Sequence, residues 1–275
     1  MPCNRYATVS AEILLYRPGQ KTQKSEDAIA VEEPLEIRVR GRGIAVTMRT
    51  PGEDPELVAG FLMSEGIITR REDIVEIAPC LQSDLPDNTL NVFLSAAVTV
   101  DFERLTRHVF ASSSCGLCGK ASIDAIRRSF PAIQSDVSVP AALINELPAR
   151  MRAAQRTFAL TGGLHAAAIF DSAGELIAVR EDIGRHNAVD KVLGYGLLTT
   201  KAPFETSILL VSGRASFEII QKALAGRIPI ICAVSAPSSL AVEFARENGQ
   251  TLIGFLRANS MNLYSGAQRI HGPAT

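Results

Sequence analysis

The segment SILLVSGRASFEIIQKALAGRIPIICAV, residues 207–234, decides the fold class. It holds two short apolar runs, residues 207–211 and 229–234, on either side of a helical stretch at residues 217–225. Short apolar runs bounded by small and polar residues are typical of strands buried on both faces. A strand, a helix and a second strand in this order predict a βαβ unit whose two strands run parallel in one sheet.

The segments around this unit continue the alternation of strands and helices. Further strands are predicted at residues 166–170, 176–179 and 252–256, and further helices at residues 141–154, 185–198 and 240–247. The DSAG sequence at residues 171–174 joins the first two of these strands as a hairpin. We therefore predict an α/β fold with a mixed or mainly parallel sheet that is flanked by helices on both faces.

The first hundred residues predict a different arrangement. Residues 35–40 and 44–47 alternate in polarity around the turn Gly41-Arg42-Gly43, which indicates an antiparallel hairpin. Residues 56–65 form an apolar-rich helix with Pro55 in its first turn, and residues 74–78 and 89–95 are further strands. A smaller α+β N-terminal portion therefore precedes the α/β part.

The composition excludes several classes of function. The chain has 275 residues, a formal net charge of −1 and no tryptophan, so neither nucleic acid nor an anionic membrane is an expected partner. The start lacks an apolar core after a basic region, and no apolar run approaches the roughly 20 residues of a membrane span. Five scattered cysteines do not suggest a disulfide framework. We expect a cytoplasmic protein.

The reactive chemistry is concentrated in the sequence SSSCGLCGK, residues 112–120. Its glycines and serines predict an exposed, mobile loop that carries Cys115 and Cys118. A structural zinc site needs four ligands, and this chain has no second CxxC and no HxxxH to complete one, so we predict no metal site.

Two other interpretations of the cysteine pair stay open. A dithiol oxidoreductase places its CxxC at a strand-to-helix junction, whereas this loop has glycines around both thiols and holds a disulfide loosely. A sulfur carrier needs an exposed thiolate that takes sulfur from a donor persulfide and presents it to an acceptor. Lys120 and the N-terminus of a short helix at residues 122–128 would both stabilise such a thiolate.

Small and polar residues cluster where predicted strands lead into helices. The clusters are EDIGRHN at residues 181–187, SGRAS at residues 212–216 and SAPSS at residues 235–239, and GGLH at residues 162–165 precedes a strand. Backbone amides and arginine at the carboxyl ends of strands suit phosphate oxygens. Asp182 and Ser216 have the alternative interpretation of helix caps. Neither GxGxxG nor GxxxxGK[ST] occurs, so an ordinary Rossmann or P-loop site is not supported.

The predicted helix at residues 185–198 has one apolar and one polar side. The polar side comprises Arg185, His186, Asn187, Asp190 and Lys191. A solvated helix face is one interpretation of this side. The other is a ligand-binding or acid–base histidine, His186, oriented by Asp190 one turn later.

Several of these motifs together resemble the FdhD/NarQ family of formate dehydrogenase accessory sulfurtransferases. They are CGLCGK at residues 115–120, TGGLHAA at 161–167, REDIGRHNAVDK at 180–191, VSGR at 211–214 and GFLR at 254–257. The resemblance covers about residues 30–265. It implies a cytidine-deaminase-like fold without the zinc site, and a homodimer.

The resemblance also implies an activity. The protein would accept sulfur from a cysteine desulfurase as a persulfide on Cys115, assisted by Cys118. It would pass this sulfur to a bis-molybdopterin guanine dinucleotide cofactor of molybdenum or tungsten, whose client is formate dehydrogenase. A non-catalytic chaperone that only binds the cofactor is the alternative.

The expected cofactor contacts and domains follow from the resemblance and the junctions. The contacts are Gly163, His165, Arg185, His186, Ser212, Gly213, Arg214, Phe255, Leu256, Arg257, Ala258, Asn259 and Ser260. The expected division is an α+β portion at residues 1–110, the mobile CxxC loop and short helix at 111–130, and an α/β cofactor-binding domain at 131–275.

Overall fold

The computed structural model describes residues 7–102 and 130–272. Cys115, Cys118 and the helix predicted at residues 122–128 lie outside the described residues. Within them, no helix is long and apolar enough to cross a bilayer.

The chain begins with a two-stranded antiparallel ribbon of β1 (Thr8–Leu15) and β2 (Gln23–Ala30). The sequence predictions contain no strand at β2, because five of its eight residues are polar or charged and give no alternating pattern. Pairing with β1 supplies the backbone hydrogen bonds of β2, so tertiary context overrides its weak strand propensity.

The N-terminal hairpin, helix and strands are confirmed. They are β3 (Glu33–Val39), β4 (Arg42–Arg49), α1 (Asp54–Ser64), β5 (Ile74–Pro79) and β6 (Thr89–Leu94). The four strands form one sheet in the order β4-β3-β6-β5, in which β3 and β6 run parallel. Leu35, Ile37 and Val39 alternate along β3 and share a core with Leu57 and Val58 of α1. Apolar and polar residues alternate along β3 because only one face of the strand packs into that core.

The described residues from 130 onward form a second sheet with its helices and a separate pair of two-residue strands. The elements are β7 (Val139–Pro140), α2 (Ala141–Ala154), α3 (Arg156–Thr161), β8 (His165–Phe170), β9 (Leu176–Asp182), α4 (Arg185–Leu198), β10 (Ile208–Val211), α5 (Phe217–Ala225), β11 (Ile230–Ala233), α6 (Ser239–Glu247), β12 (Thr251–Arg257), β13 (Ser260–Ser265) and β14 (Ile270–His271). Six of the strands pair in the order β13-β12-β11-β10-β8-β9.

This six-stranded sheet is mixed, which is the first of the two arrangements that the sequence predicts. Only β10 with β11 and β11 with β12 pair in parallel, and the three other pairings are antiparallel. The strands β8 and β9, like β12 and β13, follow each other after a short turn, which can only join antiparallel neighbours. The α/β class itself is confirmed.

Helices cover both faces of the six-stranded sheet, as predicted. Ala167 and Ile169 of β8 belong to the core shared with α4, α5 and α6. Ala168 and Phe170, which alternate with them, belong to the core shared with α2.

Two glycines allow the N-terminal portion to join the second sheet through α1 and α4. A Cβ on Gly60 of α1 would lie 1.8 Å from the carbonyl oxygen of Asp190 on α4. A Cβ on Gly194 of α4 would lie 1.8 Å from the carbonyl oxygen of Glu56 on α1. The two helices therefore touch backbone to backbone, which only glycine permits.

Candidate functional site

The topology brings the predicted contact residues to one edge of the six-stranded sheet. The parallel strands β10, β11 and β12 all end there. Because β8 is antiparallel to β10, it begins at this edge with His165, and β9 ends there before α4. The loops after β9, β10, β11 and β12 are therefore neighbours, which is the usual location of ligands in open α/β sheets.

His165, Arg185 and Gly213 come together at this edge. A Cβ on Gly213 would lie 3.3 Å from His165 Nδ1 and 3.6 Å from Arg185 Cδ, so glycine leaves the approach to both side chains open. Burial, followed by the charges of Arg185 and His186, lowers the pKa of His165. The imidazole of His165 is thus favoured in its neutral form beside a guanidinium.

The guanidinium of Arg185 carries an unsatisfied donor. Its Nε is buried and makes no hydrogen bond to any described residue. A buried donor without an acceptor costs about 1–3 kcal/mol, and more when the group is charged. An anionic ligand at this edge would satisfy it.

The SGRAS junction after β10 divides into structural and accessible residues. Ser212 Oγ accepts a hydrogen bond of 2.9 Å from the backbone N–H of Ala166, so this hydroxyl ties β10 to β8. Arg214 is exposed and makes no hydrogen bond or ion pair within residues 7–102 and 130–272. Arg214 is therefore the cation of this junction that is available to a ligand.

His186 contacts α5, and the hypothesis that Asp190 orients it is wrong. Its Nε2 lies 3.1 Å from Ser216 Oγ and 3.0 Å from Glu218 Oε2. Asp190 instead accepts hydrogen bonds of 2.7 Å at both carboxylate oxygens from Lys222. Asp190 is buried between α1, α4 and α5, whereas His186 lies one turn earlier, at the start of α4.

The solvated-face interpretation of α4 is also wrong for Asn187, Asp190 and Lys191, which are all buried. Lys191 Nζ lies 2.9 Å from Asp182 Oδ2 and donates to the carbonyl oxygen of Thr50 at 3.0 Å. Buried polar groups are stable only when they are paired in this way.

The REDIGRHNAVDK motif thus has two separate roles. Arg185 and His186 lie at the sheet edge. Most of the other polar residues join the two parts of the chain: Arg180 pairs with Glu56 and Asn187 donates to the carbonyl oxygen of Met48. Glu181 is the exception, because its carboxylate accepts hydrogen bonds from backbone N–H groups of α3.

The helix-cap interpretation is confirmed for the position of Ser216 and is wrong for Asp182. The N-cap of α4 is Gly184, whose N–H donates to Asp182 Oδ1 at 2.8 Å. Ser216 occupies the N-cap position of α5, but its hydroxyl contacts His186 and makes no capping bond.

The end of β12 presents an exposed aromatic ring at the same edge. Phe255 has φ 50 and is 43% exposed, and the pairing of β12 with β13 shifts register between Gly254 and Arg257. A bulky residue with positive φ is strained, and such strain is concentrated at functional positions.

The remaining predicted residues of this segment differ in what they offer to a ligand. Leu256 is fully buried in the core, so its side chain contributes packing. The Arg257 guanidinium donates to the carbonyl oxygens of Val234 and Leu256. Ala258, Asn259 and Ser260 are exposed around the turn into β13. Gly163 directly precedes the buried Leu164 and lies two residues before the start of β8.

The two cysteines within the described residues, Cys80 and Cys232, do not belong to the candidate site. Burial raises the pKa of the Cys232 thiol, which is unreactive for that reason. Cys80 accepts a weak hydrogen bond from Arg38 at 3.6 Å. Within the described part of the chain, no group of three or more His, Cys, Asp or Glu side chains is arranged to hold a metal ion.

Sequence reasoning missed Glu218 as a member of the site. The signal available was its position in the first turn of α5, directly after the SGRAS junction. Nothing in the sequence pairs it with His186, because the two residues are 32 positions apart.

Comparisons with known proteins agree on one family. The family model described as FdhD/NarQ matches residues 30–271. The "Sulfur carrier protein FdhD" of Streptomyces coelicolor is 52% identical over 270 residues, 96% of this chain and 95% of that protein. The protein of the same name from Mycobacterium tuberculosis is 47% identical over 275 residues, 97% of each chain. The one from Sulfolobus acidocaldarius is 46% identical over 246 residues, 90% of this chain and 92% of that protein.

A solved structure has the same fold. It is described as a formate dehydrogenase accessory protein from Desulfotalea psychrophila, and the match has a TM-score of 0.74 at 27% identity. The match covers 97% of this chain and 100% of the solved one.

Proposed function

The chain belongs to the FdhD/NarQ family, and from this membership we propose that it carries sulfur for the maturation of formate dehydrogenase. Relatives that share about half of their residues with it over nearly the whole chain are named sulfur carriers. This full-length similarity is the observation that carries the proposal.

The sulfur would travel as a persulfide on the CxxC loop. The Cys115 thiolate attacks the terminal sulfur of a desulfurase persulfide; a new S–S bond forms, the donor S–S bond breaks, and the donor cysteine leaves as a thiolate. Once the acceptor is bound, attack of the Cys118 thiolate on Cys115 Sγ forms a Cys115–Cys118 disulfide and releases the terminal sulfur as hydrosulfide to the acceptor. The two thiols supply the two electrons of this release, and a dithiol reductant restores them for the next cycle.

The acceptor would be a bis-molybdopterin guanine dinucleotide cofactor of molybdenum or tungsten, bound as substrate at the carboxyl edge of the sheet. Its pyrophosphates suit the unsatisfied Nε of Arg185 and the exposed Arg214. The exposed ring of Phe255 offers a face on which a guanine base can stack.

Further parts of the proposal rest on the family resemblance. They are the cysteine desulfurase as donor, formate dehydrogenase as client, a homodimer, a cytoplasmic location and a cytidine-deaminase-like fold. The central order β8-β10-β11-β12, with only β8 antiparallel, supports the last of these.

The carrier role is tested by mass spectrometry. Wild-type protein is incubated with a cysteine desulfurase and cysteine, and the peptide containing residues 112–120 is measured. We expect one added sulfur atom on wild type and none at this loop in Cys115→Ala. Equal sulfur gain in both proteins contradicts the role of Cys115. A wild-type loop that gains no sulfur but cycles between dithiol and disulfide favours the oxidoreductase alternative.

Binding at the sheet edge is tested by calorimetric titration with GDP as a probe of the nucleotide end of the cofactor. Arg214→Ala should raise the Kd about 10-fold, which corresponds to 1.4 kcal/mol. Arg17→Ala is the control, because Arg17 is exposed in the turn between β1 and β2. An unchanged Kd in Arg214→Ala removes the SGRAS junction from the site. GDP binding without any sulfur transfer favours the chaperone alternative.

A further inference from the structure

The imidazole of His186 is held through one of its two nitrogens. Nε2 lies 3.0 Å from Glu218 Oε2 and 3.1 Å from Ser216 Oγ, both on the α5 side of the edge. Nδ1 makes no hydrogen bond to any residue in the described ranges. The ring therefore has one occupied and one available nitrogen.

The Glu218 carboxylate determines which nitrogen carries hydrogen. The hydrogen bond from His186 lowers the pKa of Glu218, which is thus ionised at neutral pH. An ionised carboxylate can only accept hydrogen bonds, so Nε2 must be the donor. In the neutral ring, Nδ1 is then an acceptor.

Ser216 supports the same geometry. A serine at an N-cap position normally accepts a hydrogen bond from the first turn of its own helix. The Ser216 hydroxyl makes no such bond and contacts His186 Nε2 instead. The charged and titratable neighbours of the pair are Arg185 on α4, Lys222 on α5 and His165 on β8. None of these three side chains is a carboxylate that could replace Glu218.

We propose that Glu218, together with Ser216, is a positioning residue that holds His186 by Nε2 and presents Nδ1 as a hydrogen-bond acceptor to the guanine nucleotide. The donor on the nucleotide is a ribose hydroxyl or the exocyclic amine of guanine. This inference rests on the proposed binding of the cofactor at this edge. Glu218 does not touch the ligand and acts through the ring of His186.

The experiment combines imidazole NMR with nucleotide titration of the full chain. Long-range ¹H–¹⁵N spectra at pH 8, assigned with His186→Gln, should show the Nε2–H form in wild type and a shift to the Nδ1–H form in Glu218→Ala. The Kd for GDP should rise about 5- to 10-fold in Glu218→Ala. Glu243→Ala is the matched control, because Glu243 is an exposed α6 residue that makes no hydrogen bond to a described residue. Melting temperatures verify that each variant is folded.

Two GDP analogues identify the donor. The penalty of Glu218→Ala should disappear with 2′,3′-dideoxy-GDP if the donor is a ribose hydroxyl, and with IDP if it is the guanine amine. The inference is overturned if the penalty persists with both analogues, if Glu218→Ala binds GDP as wild type does, or if its imidazole keeps the Nε2–H form. If wild type itself does not bind GDP, the proposed cofactor site fails, which is a different outcome.

Discussion

Adding one methyl group at Gly194 should push apart the two helices that join the N-terminal portion to the six-stranded sheet. The Cβ of Gly194→Ala would lie 1.8 Å from Glu56 O, 2.6 Å from Glu56 C and 2.8 Å from Gly60 N. Real Cβ atoms essentially never approach another atom closer than 3.0 Å. All three obstructing atoms belong to the α1 backbone, so no side chain can rotate away.

The displacement follows from these distances. Moving Glu56 O from 1.8 Å to 3.0 Å requires about 1.2 Å of separation between α1 and α4. Overpacking of this kind costs about 3 kcal/mol, and the better helix propensity of alanine returns about 1 kcal/mol. We therefore expect a loss of about 2 kcal/mol in the free energy of unfolding, or about 4–8 °C in melting temperature.

Urea unfolding measured by circular dichroism checks this value. Gly163→Ala is the control, since its Cβ would meet the nearest atom at 3.6 Å, an ordinary contact. Its stability should stay within about 0.5 kcal/mol of wild type. If Gly194→Ala is as stable as the control, the helices do not touch backbone to backbone and the reasoning is refuted.

Two further predictions concern charged and titratable groups. Lys222→Met should lower the free energy of unfolding in urea by about 3–5 kcal/mol, because it leaves the buried Asp190 carboxylate without its cation. Lys24→Met is the control: it breaks an exposed ion pair of similar length with Glu12 and should have no measurable effect. Equal losses in the two variants would contradict the difference between the buried and the exposed pair. Burial lowers the pKa of His165 below its ordinary 6.5, so the unfolded chain takes up the proton first and this contribution to stability is lost as the pH falls below about 6.5. Unfolding curves between pH 8 and pH 5 should therefore show a smaller acid loss in His165→Gln than in wild type, and identical losses would refute the assignment.

Local patterns in the sequence were sufficient for most helices and strands. The helices Ala141–Ala154, Arg185–Leu198 and Phe217–Ala225 have the predicted bounds, because each buries an apolar stripe that repeats at the helical period. The strand β2 was missed, because its stability comes from pairing with β1 and not from its own residues. The hairpin of β8 and β9 was predicted from the turn at residues 171–174, whereas β13 and its antiparallel pairing with β12 were missed.

The candidate site was predictable in its location but not in its contacts. The strand-to-helix junctions with Arg185, Gly213 and Arg214 lie at one edge because the carboxyl ends of parallel strands share it. The sequence predicts Asp190, one turn away, as the partner of His186, but the observed partner is Glu218 of another helix. A pairing at i, i+4 is visible in a sequence, whereas a pairing between two helices depends on how the strands that they follow are ordered in the sheet.

Local patterns and motifs were sufficient to establish the α/β class and the family, whereas the reactivity of Cys115 and Cys118 stays a prediction from the sequence. The tertiary structure was needed to show which polar residues of α4 lie at the carboxyl edge of the sheet and which join the two parts of the chain. Lys191 and Asp190 have the same polarity in the sequence as a solvated helix face, yet both are buried in ion pairs. A charged side chain is stable either when water hydrates it or when it is buried against a partner of opposite charge. The sequence does not distinguish these two cases, and here the packing of α1 against α4 decides between them.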